Sequence, residues 1–194
     1  TASHNPARYN GIKYKAYYSG SAGPDITKKM ELLLGANQVL CESIEDLKLK
    51  GAVAIENIVP RHIDFMKRYV NLRLIKKAPL KVIVDSMYGT GNSYISGLLK
   101  GGKCRVDTIH NIVNPSFGGI NPEPIMPNLR DLALTAKKGK YSIGLATDGD
   151  ADRLGVVLSD GSPLTGHKVM TLLLLHLLED RKMRGDVIQT ICGT

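Results

Sequence analysis

The chain has 194 residues, a formal net charge of +8 and a hydrophobic content of 43%. That length suits one large domain or parts of several, and the basic charge permits anionic partners. Because the chain has only two phenylalanines and no tryptophan to stack on bases, we expect small anions as ligands and no nucleic acid.

The three cysteines form no Cys-x-x-Cys pair, which predicts a reducing, cytoplasmic location and no disulfide framework. The longest apolar run, residues 169–178, is shorter than the roughly 20 residues that cross a bilayer, so we expect no membrane partner. The chain begins at Thr1 instead of Met and ends on a strand-like segment, which predicts a piece of a longer protein. The oligomeric state stays open.

The N-terminal third of the chain predicts only short elements. Residues 12–17 form a tyrosine-biased strand candidate. Asp25 can cap a helix over residues 26–34, which Gly35 would end. A weaker helix is expected at residues 43–50.

From Pro60 onwards, the pattern changes to helices alternating with strands. Pro60 opens an amphipathic helix, and Asn128 can cap a later one. The expected strands are residues 80–85, 105–110, 141–147 and an antiparallel 154–158, with helices at 93–100 and 129–138. This alternation predicts an α/β fold with a mixed, mostly parallel sheet flanked by helices. A helix at 166–178 and a strand at 187–192 would begin a further unit.

Three aspartates at alternate positions follow the third strand: Asp148, Asp150 and Asp152. In extended or looping backbone, alternate residues point the same way, so these side chains can converge. Carboxylates at such short distances repel one another unless a cation lies among them, and a hard divalent ion is the natural ligand of such a group. A calcium EF-hand loop is excluded, because Arg153 and Ser159 stand where it needs Gly and Glu. The planar guanidinium of Arg153 suits a phosphate held beside the ion.

Other interpretations of these residues stay open. The acidic segment could be a solvated turn, or the Asp-x-Asp of an aspartyl-phosphate phosphatase with Asp148 as nucleophile, although Asp152 replaces the usual Thr or Val of that class. A basic chain could also be a non-enzymatic anion-binding module. The loop at residues 89–92 could offer amides to a phosphate, but a plain strand-to-helix turn fits it better. Glu123 has no clear partner, and the histidines show no metal-ligand spacing.

Two segments together resemble the α-D-phosphohexomutases, the phosphoglucomutase/phosphomannomutase superfamily. Thr-Ala-Ser-His-Asn-Pro at residues 1–6, followed by Tyr-Asn-Gly-Ile-Lys at 9–13, resembles the active-serine loop of that family. Asp-Gly-Asp-Ala-Asp-Arg at 148–153 resembles its metal loop, and Asn-Pro-Glu-Pro at 121–124 is similar to its bacterial and archaeal members. The resemblance covers essentially the whole chain.

The resemblance implies a mutase that moves a phosphoryl group between the 1- and 6-positions of a glucose or mannose phosphate through a bisphosphate. Ser3 would be the phosphoserine carrier, with Lys13 and His4 as the proton-transfer groups and Arg153 steadying the phosphate. The implied Mg²⁺ ligands are Ser3, through a phosphate oxygen, with Asp148, Asp150 and Asp152.

The resemblance also implies a division of the chain among four family domains. Residues 1–55 would be the C-terminal part of the first domain, 60–161 a complete second domain, and 162–194 the start of the third. The sequence contains neither the Gly-Glu-x-Ser-Gly type sugar-recognition motif nor the Arg-x-Ser-Gly-Thr type phosphate-gripping motif of the family. We therefore expect this chain alone to be inactive as a mutase, and its partial domains to leave apolar faces unburied.

Overall fold

The computed structural model describes residue 9 and residues 11–189. This part of the chain divides into two compact units, the first of residues 11–66 and the second of residue 9 with residues 67–189. The first unit contains α1 (Pro24–Glu31) and α2 (Ile44–Leu49), and α3 (Val59–Tyr69) begins in it.

The helices of the first unit agree with the sequence patterns, but the strand predicted at residues 12–17 is wrong. The chain turns back on itself there, with the Ser19 N–H donating to the Ala16 carbonyl at 2.9 Å. Only an isolated antiparallel bridge between Lys15 and Ser21 remains. α1 begins two residues earlier than expected, with Gly23 as its N-cap, so Asp25 lies in the first turn and does not cap the helix.

The first unit buries little apolar surface. Ala16 is its one buried residue among those described. Leu32 and Leu34 are 82% and 80% exposed, and Leu40 is 88% exposed. The expectation of unburied apolar faces is thus confirmed for this part of the chain.

The second unit is built around a five-stranded sheet with the order β2-β1-β3-β4-β5. Its elements are α4 (Leu72–Lys77), β1 (Lys81–Asp85), α5 (Tyr94–Leu99), β2 (Arg105–Ile109), α6 (Arg130–Lys138), β3 (Ile143–Thr147), β4 (Leu154–Leu158), β5 (Pro163–Leu164) and α7 (Gly166–Leu175). β1 runs parallel to β2 and β3, whereas β4 runs antiparallel to β3 and β5. The predicted α/β class with a mixed sheet is confirmed. The short β5, which no sequence pattern indicated, adds a second antiparallel pair.

Helices cover both faces of this sheet. Alternate residues of β1 point to opposite sides, and apolar side chains stand on each side. On one face, Ile83 packs in a buried cluster with Leu132 and Ala136 of α6. On the other face, Val82 and Val84 pack with Leu99 of α5. The parallel strands β1, β2 and β3 therefore end at one edge of a sheet whose faces are filled, and this edge is where open α/β sheets bind ligands.

Some boundaries of the second unit differ from expectation. Asn128 does not cap α6, because the helix begins at Arg130 and Leu129 occupies the N-cap position. The Asn128 side-chain N–H instead donates to the Glu123 carbonyl at 2.9 Å. α4 was not predicted, and Asn71 caps it by accepting from the Leu74 N–H. The predicted strand at 187–192 is absent at residues 187–189, and its remainder lies outside the described residues. Across the described part, no helix combines the length and the apolar character needed to span a membrane.

Candidate metal centre

The acidic loop joins β3 to β4 at the edge of the sheet where the parallel strands end. Thr147 and Leu154 are the last paired residues of the two strands, so residues 148–153 form the turn. The Ala151 N–H donates to the Asp148 carbonyl at 3.1 Å. Ala151 has a φ of 61°, and this left-handed conformation, uncommon for a residue with a Cβ, reverses the chain in the middle of the acids.

The three aspartates converge as their spacing predicts. Asp148, Asp150 and Asp152 each offer one carboxylate oxygen, and these atoms lie within 4.8 Å of one another. Asp148 is fully buried, and Oδ1 of Asp150 is a buried atom without a hydrogen-bond partner. No other such group of His, Cys, Asp and Glu side chains occurs in residue 9 or residues 11–189. A set of three carboxylates, one of which carries an unsatisfied buried oxygen, fits a hard divalent cation such as Mg²⁺.

The backbone of the loop holds the buried carboxylate in place. Oδ1 of Asp148 accepts hydrogen bonds from the backbone N–H groups of Asp152 and Arg153, both at 2.9 Å. Hydrogen bonds to an ionised acceptor are stronger than neutral ones and offset part of the cost of burying the charge. Asp148 thus organises the turn as well as contributing to the acidic cluster.

Glu123 has a partner that the sequence did not reveal. Its Oε1 accepts from Nη1 of Arg153 at 3.1 Å, while Nε of the same arginine lies 4.0 Å from Oδ2 of Asp148. The two ionic partners stand 30 positions apart in different loops, so no periodicity could indicate the pair. The guanidinium therefore lies directly beside the acidic cluster.

The loop after β1 supports the acidic loop through backbone contacts. The Thr90 N–H donates to the Gly149 carbonyl at 3.0 Å, and the Gly149 N–H donates to the Pro122 carbonyl at 3.2 Å. A Cβ at Gly89 would stand 2.5 Å from the Gly149 oxygen. The Thr90 amide is thus engaged with the acidic loop, which favours the interpretation of residues 89–92 as a strand-to-helix turn and not as a phosphate cradle.

A buried Asp–His pair fixes the start of this supporting loop. Asp85 is fully buried, and its Oδ1 accepts from the Met87 N–H at 2.8 Å and lies 3.0 Å from Nδ1 of His110. The His110 ring stacks on Tyr88 at 4.6 Å. Burial raises the pKa of Asp85, and the Met87 N–H and His110 oppose that rise in part. The sequence pattern did not single out Asp85, because a carboxylate at the end of a strand is an ordinary feature.

Replacing Asp85 with asparagine is expected to change how stability depends on pH. When folding raises the pKa of a carboxyl, the contribution of that group to stability is fully present at pH values below its ordinary pKa, 3.8 for Asp85. The contribution is lost as the pH rises through the pKa of the folded state. The free energy of unfolding of the parent chain, relative to Asp85→Asn, should therefore fall as pH increases above 3.8. Urea unfolding of both proteins between about pH 4 and 8 measures the difference, and a difference that grows in the opposite direction would contradict the assignment.

The model of the phosphoglucomutase/phosphomannomutase alpha/beta/alpha domain II matches residues 60–161, more than half of the chain. The chain belongs to this family. Among its relatives, a phosphoglucomutase of Neisseria gonorrhoeae is 34% identical over 195 residues, covering 100% of this chain and 40% of the relative. A phosphoglucosamine mutase of Campylobacter jejuni is 29% identical over 197 residues, covering 98% of this chain and 42% of the relative.

Solved structures agree with the family assignment. The crystal structure of a protein from Thermus thermophilus assigned as a phosphomannomutase aligns with a TM-score of 0.80 and 30% identity. That alignment covers 93% of this chain and 40% of the Thermus chain. The chain therefore spans about 40% of the length of these family members.

The structure places some of the expected phosphohexomutase site residues and not others. It brings Arg153 to the three aspartates of the acidic loop. Lys13 is exposed and lies in the first unit. Ser3 and His4 lie outside the described residues, so their expected roles stay predictions.

Proposed function

We propose that this chain carries the phosphoserine and metal-binding segments of a phosphohexomutase that interconverts hexose 1-phosphates and hexose 6-phosphates. The convergence of three aspartates at the end of β3, in a chain of this family, is the observation that carries the proposal. Glucose and mannose phosphates are the proposed substrates. Relatives named as phosphoglucosamine mutases add glucosamine phosphate as a third candidate.

In the proposed reaction, the phosphorus–oxygen bond to Ser3 breaks as a new one forms to a hydroxyl of the hexose monophosphate. The hydroxyl proton passes through Lys13 or His4 to the leaving serine oxygen, and the product is a hexose bisphosphate. In the second half, the phosphorus–oxygen bond of the other phosphate breaks as that phosphoryl group moves to the Ser3 oxygen, and the serine proton passes to the freed sugar oxygen. The phosphoserine is then restored, and the isomeric monophosphate is released.

The acidic loop would hold the metal in this scheme. Asp148, Asp150 and Asp152 would bind Mg²⁺, and a phosphate oxygen on Ser3 would complete the site. A bound Mg²⁺ would neutralise the transferred group and stabilise the charge that develops during in-line transfer. Arg153 would bind a phosphate oxygen beside the loop, since a guanidinium offers several N–H donors in a planar array.

We propose that the chain divides into residues 1–55 from the first domain, 60–161 as the second domain and 162–194 from the start of the third. The match of the domain II model over residues 60–161 supports this division. The proposed carrier and the proposed metal ligands then belong to different domains.

The aspartyl-phosphate phosphatase alternative fits the geometry less well. A nucleophilic Asp148 would need an oxygen open to substrate, but this carboxylate is fully buried and is held by two backbone N–H groups. A role as metal ligand requires only that one oxygen reach the cluster formed with Asp150 and Asp152. The anion-binding module accounts for Arg153 but not for the adjacent acids.

We expect the purified 194-residue chain to show no interconversion of hexose phosphates, because its sequence lacks the family motifs that read the sugar and grip its phosphate. A chimera in which these residues replace the aligned region of the N. gonorrhoeae relative should convert glucose 1-phosphate to glucose 6-phosphate. In that chimera, Ser3→Ala should abolish turnover.

Mass spectrometry of tryptic peptides from the chimera, after its incubation with a hexose bisphosphate, shows which residue carries the phosphoryl group. Phosphate on Ser3 supports the mutase. An adduct on Asp148 with no phosphate on Ser3 would support the phosphatase and contradict the proposal, as would undiminished turnover in the Ser3→Ala chimera.

A further inference from the structure

We propose that Glu123 is a positioning residue that orients Arg153 for a phosphate group at the metal loop. The inference rests on the proposed function, since it takes a phosphate as the ligand of Arg153. Glu123 itself need not touch the phosphate. It acts by holding the guanidinium beside Asp148 before the phosphate arrives.

The guanidinium of Arg153 contacts two carboxylates and still has free N–H donors. Glu123 engages Nη1 of Arg153 at 3.1 Å, and Oδ2 of Asp148 faces Nε at 4.0 Å. A guanidinium has five N–H donors in a fixed plane, so these two contacts leave donors for a phosphate. The Arg153 side chain is 48% exposed, which gives an anion access to it.

The second step is that Glu123 is itself well anchored. Its carbonyl accepts from the Ile125 N–H at 2.8 Å and from the Asn128 side chain at 2.9 Å. The preceding carbonyl, of Pro122, accepts from Gly149 in the middle of the acidic loop. The backbone of the segment that carries Glu123 is thus tied to the same loop that presents the acids, so the Glu123 side chain starts from a fixed position beside Arg153.

The third step concerns conformational entropy. An unrestrained arginine loses up to about 2 kcal/mol of rotamer freedom when it is ordered. If Glu123 orders Arg153 in advance, that loss no longer opposes phosphate binding. The competing explanation is that Glu123 and Arg153 form an ordinary, partly exposed ion pair with no role in phosphate binding. Such pairs typically contribute less than about 1 kcal/mol to stability.

Two substitutions at position 123 separate positioning from charge. Glu123→Gln removes the negative charge but keeps a carbonyl oxygen that can accept from Nη1 of Arg153. Glu123→Ala removes both the charge and the acceptor. Any purely electrostatic effect on the metal or the phosphate is therefore the same in the two variants, whereas an effect of positioning appears only in Glu123→Ala. Glu179→Ala, on a separate exposed turn, is a further charge control.

The experiment measures binding of inorganic phosphate to the Mn²⁺-loaded 194-residue chain, from the paramagnetic relaxation of the phosphate ³¹P signal. We expect Glu123→Ala to weaken phosphate binding about two- to tenfold, the range that ordering one long side chain spans. Glu123→Gln should remain within about twofold of the parent, and Glu179→Ala should match the parent. Calorimetric Mn²⁺ affinity should be equal in the two Glu123 variants.

Any other outcome contradicts either the positioning role of Glu123 or the phosphate role of Arg153. Equal weakening of phosphate binding in both Glu123 variants would show a charge effect, and no weakening in either would show a simple surface pair. Mn²⁺ affinity lost in Glu123→Ala alone would show that Glu123 acts on the acids and not through Arg153. Each of these results overturns the positioning role and leaves the proposed function intact. If the Mn²⁺-loaded parent binds no phosphate, the phosphate role of Arg153 fails, and the inference fails with it.

Discussion

Replacing Asp150 with asparagine is expected to stabilise the metal-free chain and to remove most of its stabilisation by Mg²⁺. Without a cation, three carboxylates whose oxygens lie within 4.8 Å of one another repel, so removing one charge relieves the folded state. Oδ1 of Asp150 has no hydrogen-bond partner, so the substitution does not break a bond of that atom. Thermal unfolding with and without Mg²⁺ measures both effects, which have opposite signs.

The size of the metal effect follows from the loss of a ligand. Substituting residues that merely support a metal ligand typically lowers affinity about 10–100-fold, and the loss of a direct ligand should cost at least as much. Each tenfold loss removes about 1.4 kcal/mol of the stabilisation that saturating Mg²⁺ provides.

Asp186→Asn is the matched control, because Asp186 is exposed and lies outside the acidic loop. It should leave both the stability of the metal-free chain and the response to Mg²⁺ close to those of the parent. A variant Asp150→Asn that binds Mg²⁺ in calorimetry as tightly as the parent would show that the three acids do not share one ion.

The acidic cluster was predictable from the sequence because its signal is local. Asp148, Asp150 and Asp152 stand at alternate positions within one short segment, so a compact turn after the strand keeps their side chains close together. The strands on either side were equally clear, since apolar runs at residues 142–146 and 154–158 bound the acids. Local spacing therefore predicted both the site and its place at the end of a strand.

The contacts that support the cluster were not predictable, because they join residues far apart in the chain. The Glu123–Arg153 ion pair and the Asp85–His110 pair span 30 and 25 positions. Each is possible only because three parallel strands end at the same edge and bring their following loops together. The wrong prediction of a strand at residues 12–17 has a related cause. Tyrosine content indicates strand propensity, but a strand also needs a partner strand, which this pattern does not reveal.

Replacing Gly89 with alanine is expected to destabilise the second unit and to weaken Mg²⁺ binding, although the substitution lies far before the first acid in the chain. The new Cβ would stand 2.5 Å from the carbonyl oxygen and 2.8 Å from the Cα of Gly149, and 3.0 Å from the carbonyl oxygen of Asp148. All three are backbone atoms of the acidic loop, so a side-chain rotation cannot relieve the collision. Because Gly149 separates two of the acids, a displacement of its backbone moves their carboxylates apart.

We expect Gly89→Ala to lower the free energy of unfolding by about 1–3 kcal/mol, as overpacking of a well-filled interior does. Its Mg²⁺ affinity should fall about tenfold or more, as when a residue supporting a metal site is replaced. Gly97→Ala is the control, because nothing lies within 4 Å of a Cβ there and alanine favours the helix by about 1 kcal/mol. Urea unfolding and Mg²⁺ calorimetry compare the two. If Gly89→Ala behaves like Gly97→Ala in both measurements, the loop after β1 does not hold the acids in place.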